Sequence, residues 1–200
     1  LVVGGHVVWM GPAGGGALRC RDATGRRRHL VRPSVRAGRE EGAGSMASED
    51  RLGRLARRVA GRLIARGETV ALCETATGGL ASAALLAVPG TSACFVGGVL
   101  AYSRRSRRAL LGLEARDVAG LEPLSEDMAR VFAARCRTRL AADWGLAELG
   151  IAGPTPSAYG GPAGVAVLAI AGPVGRTRRL ETGHADRARN MHTFAEALLA

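Results

Sequence analysis

From about residue 50 onward, apolar residues recur at the spacings of regular structure, and changes in that spacing divide one element from the next. Leu52, Leu55, Val59, Leu63 and Ile64 fall at helical intervals behind Ser48-Glu49-Asp50, a capping sequence with acids in the first turn, and Gly67 closes the run. Thr69 to Cys73 reads as a buried strand, Gly78 to Val88 as a helix stopped by Pro89-Gly90, and Cys94 to Ser103 as a second strand interrupted by Gly97-Gly98. A short helix follows through Leu111. Ser125 caps a helix reaching about Ala142, and Gly145 to Ile151 forms a strand. A Pro/Gly loop over 153–162 leads into strands from Gly164 to Ala171 and from Arg176 to Glu181, a hairpin turning at Gly172-Pro173, and Ala185 to Leu199 is the closing helix. Strands alternating with helices, then a hairpin and a last helix, predict a single three-layer α/β/α sandwich with a mixed sheet.

The first 45 residues break this pattern. They hold ten glycines and the run Arg26-Arg27-Arg28, with no sustained period of either kind. Such a segment cannot bury enough apolar surface to offset its ordering entropy, so residues 1–45 are expected to be a disordered Gly/Arg-rich extension. Arg39-Glu40-Glu41-Gly42 can be encoded by a purine-rich tract of the kind that forms a bacterial ribosome-binding site, a few codons before Met46. On that reading Met46 is the native start, and residues 46–200 are the domain.

Composition narrows the partners. The net charge of +11 points toward nucleic acid or an anionic surface, but residues 46–200 carry only twenty arginines against fourteen acids, with 4% aromatics and no interleaved stacking platform. Nucleic acid is not expected as a partner. Every basic residue is arginine; the chain has no lysine. Cys20, Cys73, Cys94 and Cys136 lie far apart with no histidine at ligand spacing, which argues for reduced thiols in a cytoplasmic protein and against a metal site. No apolar run approaches the ~20 residues that span a bilayer.

Four segments carry candidate chemistry, all of them loops at strand ends, where α/β folds place their sites. In Thr75-Ala76-Thr77-Gly78-Gly79, hydroxyls and free backbone N–H groups face a helix N-terminus, where an anion is favoured; a plain cap with packing glycines is the competing reading. Gly150-Ile151-Ala152-Gly153-Pro154 offers a second backbone approach, or an ordinary turn. Tyr102 ends the second strand near that mouth, and Val88-Pro89-Gly90-Thr91-Ser92 supplies a further hydroxyl.

Taken in order and spacing, Glu74–Leu80, Val88–Ser92, Gly97–Ser103 and Gly150–Pro154 are similar to the E-S-C-T-G-G-L, V-P-G-S-S, G-G-V-V-A-Y-S and T-G-I-A-G-P segments of the CinA C-terminal domain family, which houses nicotinamide-nucleotide amidases. The resemblance covers nearly all of residues 46–200, and Asp186-Arg187-x-Arg189-Asn190-Met191 matches a family variant. It implies hydrolysis of the carboxamide of nicotinamide mononucleotide by a hydroxyl nucleophile beside a lysine, with no cofactor. It also implies a nucleotide-like small-molecule substrate and, as family members commonly pair, a homodimer. Residue by residue, the catalytic positions fall on Thr75, Ser92, Tyr102 and Arg107. The substrate-binding positions fall on Thr77, Gly78, Gly79, Gly150, Ala152 and Gly153, with Arg187 and Arg189 from the last helix. The metal-dependent companion domain of full-length CinA cannot be encoded in 45 Gly/Arg-rich residues, so no metal is implied.

Of the five positions Thr75, Ser92, Tyr102, Arg107 and Leu149, three depart from what the resemblance implies: serine becomes Thr75, lysine becomes Arg107, and the threonine before the Gly-Ile-Ala-Gly-Pro run becomes Leu149. Guanidinium, with a pKa above ~12, cannot take a proton from a hydroxyl at neutral pH. A working amidohydrolase would then need Glu74, Glu148 or a water as base. The alternative is a family member that binds a nucleotide-like anion, or serves as a structural partner, without turnover. A His184/Asp186/His192 triad and a Cys73 nucleophile are conceivable, but a solvated helix face and a buried strand thiol explain those residues more simply.

Overall fold

The computed structural model of the chain describes residues 51–157 and 160–200, together with four two-residue strands between Val2 and Arg28. The chain divides into two compact units, Leu1–Gly44 and Ser45–Ala200. In the first, Val2–Val3 pairs antiparallel with His6–Val7, and Cys20–Arg21 with Arg27–Arg28. The rest of that unit, the start at Met46 and the cap at Ser48 lie outside the described residues, and so does the expected disorder of residues 1–45.

The second unit is a three-layer α/β/α sandwich. Its sheet runs in the order β2 (Phe95–Leu100), β1 (Val70–Glu74), β3 (Trp144–Ile151), β4 (Val165–Ala171), β5 (Arg176–Glu181). β1 is parallel to both β2 and β3, while β4 and β5 add antiparallel, which makes the sheet mixed. α1 (Arg51–Arg66), α2 (Leu80–Leu86) and α5 (Arg187–Leu198) cover one face, packing Leu52, Leu55, Leu85 and Leu198 on Leu72, Leu146 and Leu168. α3 (Arg104–Leu111) and α4 (Glu126–Arg139) cover the other, packing Leu111, Phe132 and Cys136 on Cys73, Ala147, Leu149 and Val167. Neighbouring strand residues such as Leu72 and Cys73 thus serve opposite cores, which is why β1 and most of β3 read as unbroken apolar runs. β5, at the sheet edge, is mostly exposed, with three arginines and only Thr177 and Leu180 half-buried.

Local chemistry sets the boundaries. Ser125 accepts a hydrogen bond from Met128 N at 3.1 Å and starts α4 with Glu126 and Asp127 in its first turn. α2 begins two residues later than its sequence pattern suggests, because Gly79 takes φ 95°, a left-handed conformation that no right-handed helix contains. β2 ends at Leu100 rather than Ser103, since the Ser103 side chain is drawn off to accept from Ser106 N and cap α3. No helix among the described residues is long and apolar enough to cross a membrane.

Two glycines separate close packing from mere tolerance. A Cβ on Gly145 would lie 2.2 Å from the Ala133 carbonyl and 2.6 Å from Arg137 Cβ, so β3 and α4 meet there without room for a methyl group. A Cβ on Gly61, mid-α1, would meet nothing within 4 Å. Gly145→Ala is expected to destabilise the domain by about 1–3 kcal/mol, whereas Gly61→Ala should stabilise it by roughly 0.5–1 kcal/mol. Urea denaturation of the two variants beside the parent checks both signs.

Candidate functional site

The sheet topology creates one natural crevice. β1 and β2 are adjacent and parallel, yet the chain leaves β1 for α2 on one face and β2 for α3 on the other, so the loops at their carboxyl ends part. A cavity of about 820 Å³ opens there, within the roughly 300–1,000 Å³ range of small-molecule sites. Thr75, Tyr102, Arg107, Gly150, Ala152, Gly153 and Arg187, all singled out by the sequence, line it together with Leu149.

The loop between β1 and α2 is held from beneath by two buried carboxylates. Glu74, 1% exposed, accepts from Gly79 N and Ala81 N through Oε2 and from Ser82 N and Ser82 Oγ through Oε1, all between 2.5 and 3.1 Å. It is the anion at the start of α2. Glu148, fully buried on β3, accepts through Oε2 from Thr75 N, Thr77 N and Thr77 Oγ1 at 2.9–3.0 Å. Its Oε1 has no partner, and a Cβ on Gly150 would stand 2.5 Å from that oxygen, so only glycine fits at 150.

These contacts correct part of the sequence reading. The N–H groups of Thr75, Thr77 and Gly79 are not free for a substrate, because the chain's own acids take them. Thr77, Gly78 and Gly79 do not line the cavity. Neither do Glu74 and Glu148, so neither stands as a base facing it: along β3, Leu149 faces α4 and the cavity while Glu148 shares the face of Leu146. Ser92 is exposed in the 3-10 turn Thr91–Ala93, before the amino end of β2, and so at the opposite end of the parallel strands from the cavity. Arg189 is exposed and lies away from the cavity, its backbone N–H donating to the cap residue Asp186.

The remaining candidates are firmly placed. Thr75 Oγ1 donates to Glu148 O at 3.1 Å and accepts from Gly150 N at 3.3 Å, bridging β1 and β3 where their backbone pairing has ended at Cys73 and Ala147. Arg107 Nε donates to Ala101 O at 3.2 Å and its guanidinium carbon stands 5.2 Å from the Phe132 ring centroid, a cation–π contact. Arg187 Nη1 donates to Gly153 O at 2.7 Å, while Asn190 Nδ2 donates to Ala152 O at 2.9 Å, so α5 fixes the loop after β3. Among the described residues no carboxylate pairs with Arg107 or Arg187. Tyr102 is 64% exposed at the mouth.

Two lesser candidates do not assemble. His192 is exposed beside Leu52 and Leu80, and Asp186 caps α5, so no triad forms. Burial pushes the Cys73 thiol well above its ordinary value, which leaves it a core residue. Sequence reasoning missed Asn190 and the capping role of Glu74. An acid directly before a Gly-rich helix start was the available signal for the latter.

Comparison with known proteins agrees with this architecture. Residues 52–200 match the family model described as the CinA C-terminal domain. A CinA-like protein of Anaeromyxobacter sp. (strain Fw109-5) is 44% identical over 142 residues, which are 70% of this chain and 34% of that protein. One from Prochlorococcus marinus (strain MIT 9313) is 44% identical over 110 residues, 55% of this chain and 26% of that protein. The chain therefore spans about a third or less of the length of these curated relatives. Among solved structures, the competence/damage inducible protein CihA from Agrobacterium tumefaciens matches with a TM-score of 0.69 at 27% identity, covering 75% of this chain and 92% of that one. A competence-damaged protein (CinA) superfamily member from Klebsiella pneumoniae 700603 matches with a TM-score of 0.68 at 30% identity, covering 74% and 92%.

Glu148 gives the loop a pH dependence. Desolvation raises its carboxyl above the ordinary 4.5, outweighing the three donors on Oε2, and the nearby Glu74 charge adds to the rise. Between the ordinary and the raised value the native state holds a proton that the unfolded state has lost, so stability declines as pH rises through the folded value. Glu148→Gln keeps the acceptor and removes the titration. Its urea midpoint, relative to the parent, is expected to improve as pH rises from the ordinary carboxylate range through the raised folded value, and to level off above it. A constant difference would show that Glu148 does not titrate in this range.

Proposed function

Residues 52–200 belong to the CinA C-terminal domain family, and we propose on that premise that the cavity is a nucleotide-amide site whose surviving capacity is anion binding, with residual carboxamide hydrolysis. The observation that carries this reading is Arg107. Its Nε bond to Ala101 O and its seat on Phe132 hold the guanidinium at the cavity wall as a fixed cation with a planar donor fork. That arrangement suits phosphate or carboxylate and cannot supply a base at neutral pH.

Thr75 supports the same conclusion. Its one hydroxyl proton is directed at a backbone carbonyl, and the two acids nearest to it are engaged beneath the loop. A nucleophile must pass its proton to a neighbouring base as it attacks, and no side chain at hydrogen-bond distance from this hydroxyl offers one. Leu149 adds an apolar wall where the family resemblance implies a hydroxyl.

Purified chain is expected to bind nicotinamide mononucleotide by calorimetry while releasing ammonia from it far more slowly than a lysine-bearing relative assayed alongside. Because a positioned base contributes about 10²–10⁴-fold, the double variant Arg107→Lys/Leu149→Thr should raise ammonia release by roughly tenfold or more. Parent activity comparable with the relative would overturn the proposal.

A further inference from the structure

The cavity is divided by polarity in a way that restricts its ligand beyond charge. Five side chains that line it, Leu113, Met128, Phe132, Leu149 and Ile151, are each between 1% and 9% exposed, and none carries a conventional hydrogen-bonding group. They form its floor. The charged side chains sit higher: Arg104, Arg108 and Arg187 are exposed and Arg107 and Glu114 half-buried, Glu114 being paired with Arg108, with exposed Tyr102 nearby at the mouth.

Polar groups around that floor are already engaged. Thr75 is the one buried polar side chain lining the cavity among the described residues, and its hydroxyl donates to Glu148 O and accepts from Gly150 N. The Ala152 carbonyl accepts from Asn190, the Gly153 carbonyl from Arg187 and the Ala101 carbonyl from Arg107. A carboxamide pressed onto the floor would therefore leave donors and acceptors poorly matched, a penalty that an alkyl or aryl group does not meet.

We propose that the preferred ligand is an anionic amphiphile: a small molecule whose phosphate or carboxylate lies between Arg107 and Arg187 at the rim and whose alkyl or aryl group fills the Leu113–Met128–Phe132–Leu149 floor. This rests on the anion-binding half of the function proposed above. It agrees with the slow amide turnover proposed above, since the part of the ligand that reaches Thr75 is apolar. Leu149 and Phe132 become specificity-determining residues, and Arg107 the anchor common to all ligands.

A homologous series separates the two claims. Calorimetric titration of the full chain with inorganic phosphate, then methyl, ethyl, propyl, butyl and hexyl phosphate, should show Kd falling about fourfold per methylene, the equivalent of about 0.8 kcal/mol, until the floor is filled. The matching neutral alcohols should bind at least tenfold more weakly than their phosphates. Arg107→Gln should weaken every phosphate by a similar factor, and Leu149→Thr should flatten the slope of Kd against chain length. A flat series in the parent, with all members binding like inorganic phosphate, overturns the amphiphile and leaves anion binding standing. Alcohols binding as tightly as phosphates, or no phosphate binding at all, overturns the anion anchor and with it this inference.

Discussion

Burying Glu74 and Glu148 under one short loop is the arrangement from which the rest of the site follows. A carboxylate taken out of water must find donors, and here the donors are the loop itself: four hydrogen bonds converge on Glu74 and three on Glu148. The acids thereby fix the path from Thr75 to Ser82, which fixes where α2 starts and where Thr75 projects. Thr75 then extends the β1–β3 junction through its own hydroxyl. The open crevice beyond β2 exists because this loop is held against the other face of the sheet. Removing either acceptor leaves several buried donors unpaired, each costing about 1–3 kcal/mol.

The elements were legible in the sequence because both periods are strong. Helices α1 and α4 show their apolar faces, and β1 and β3 show the continuous apolar runs of strands covered on both sides. The meeting of Thr75, Tyr102, Arg107 and the Gly150–Gly153 loop was also legible, since parallel strands put their carboxyl-terminal loops on one side. Ser92 shows where that logic was applied too broadly. Its loop precedes β2, and in a parallel β1–β2 pair the segment entering a strand lies opposite the segments leaving it.

What the sequence could not disclose was which polar groups satisfy one another. An N-terminal loop rich in threonine and glycine looks like an anion receptor whether the anion is a ligand or a side chain, and here Glu74 directly precedes it. The distinction depends on rotamers and on the approach of β3, whose Glu148 comes from more than seventy residues away. Local pattern carries no information about so distant a partner.

Arginine at position 107 belongs to a set of surroundings adapted to it rather than being an isolated exchange. A lysine has no Nε–H at the branch point to donate to Ala101 O, and its ammonium lacks the planar face that lies along the Phe132 ring. Phe132 in turn lies in the same core as Leu149, and both line the cavity, so the ring that steadies the cation also extends the apolar floor. One side chain therefore links two changes that point the same way: a cation that cannot exchange its proton, and a floor that offers a carboxamide little to bind. Because both positions share Phe132 as a neighbour, a lysine at 107 alone would place an ammonium beside an apolar floor with no polar partner at 149. On the function proposed above, base chemistry at this site would require both positions to change together, in the sense that residues sharing a common neighbour do not act additively.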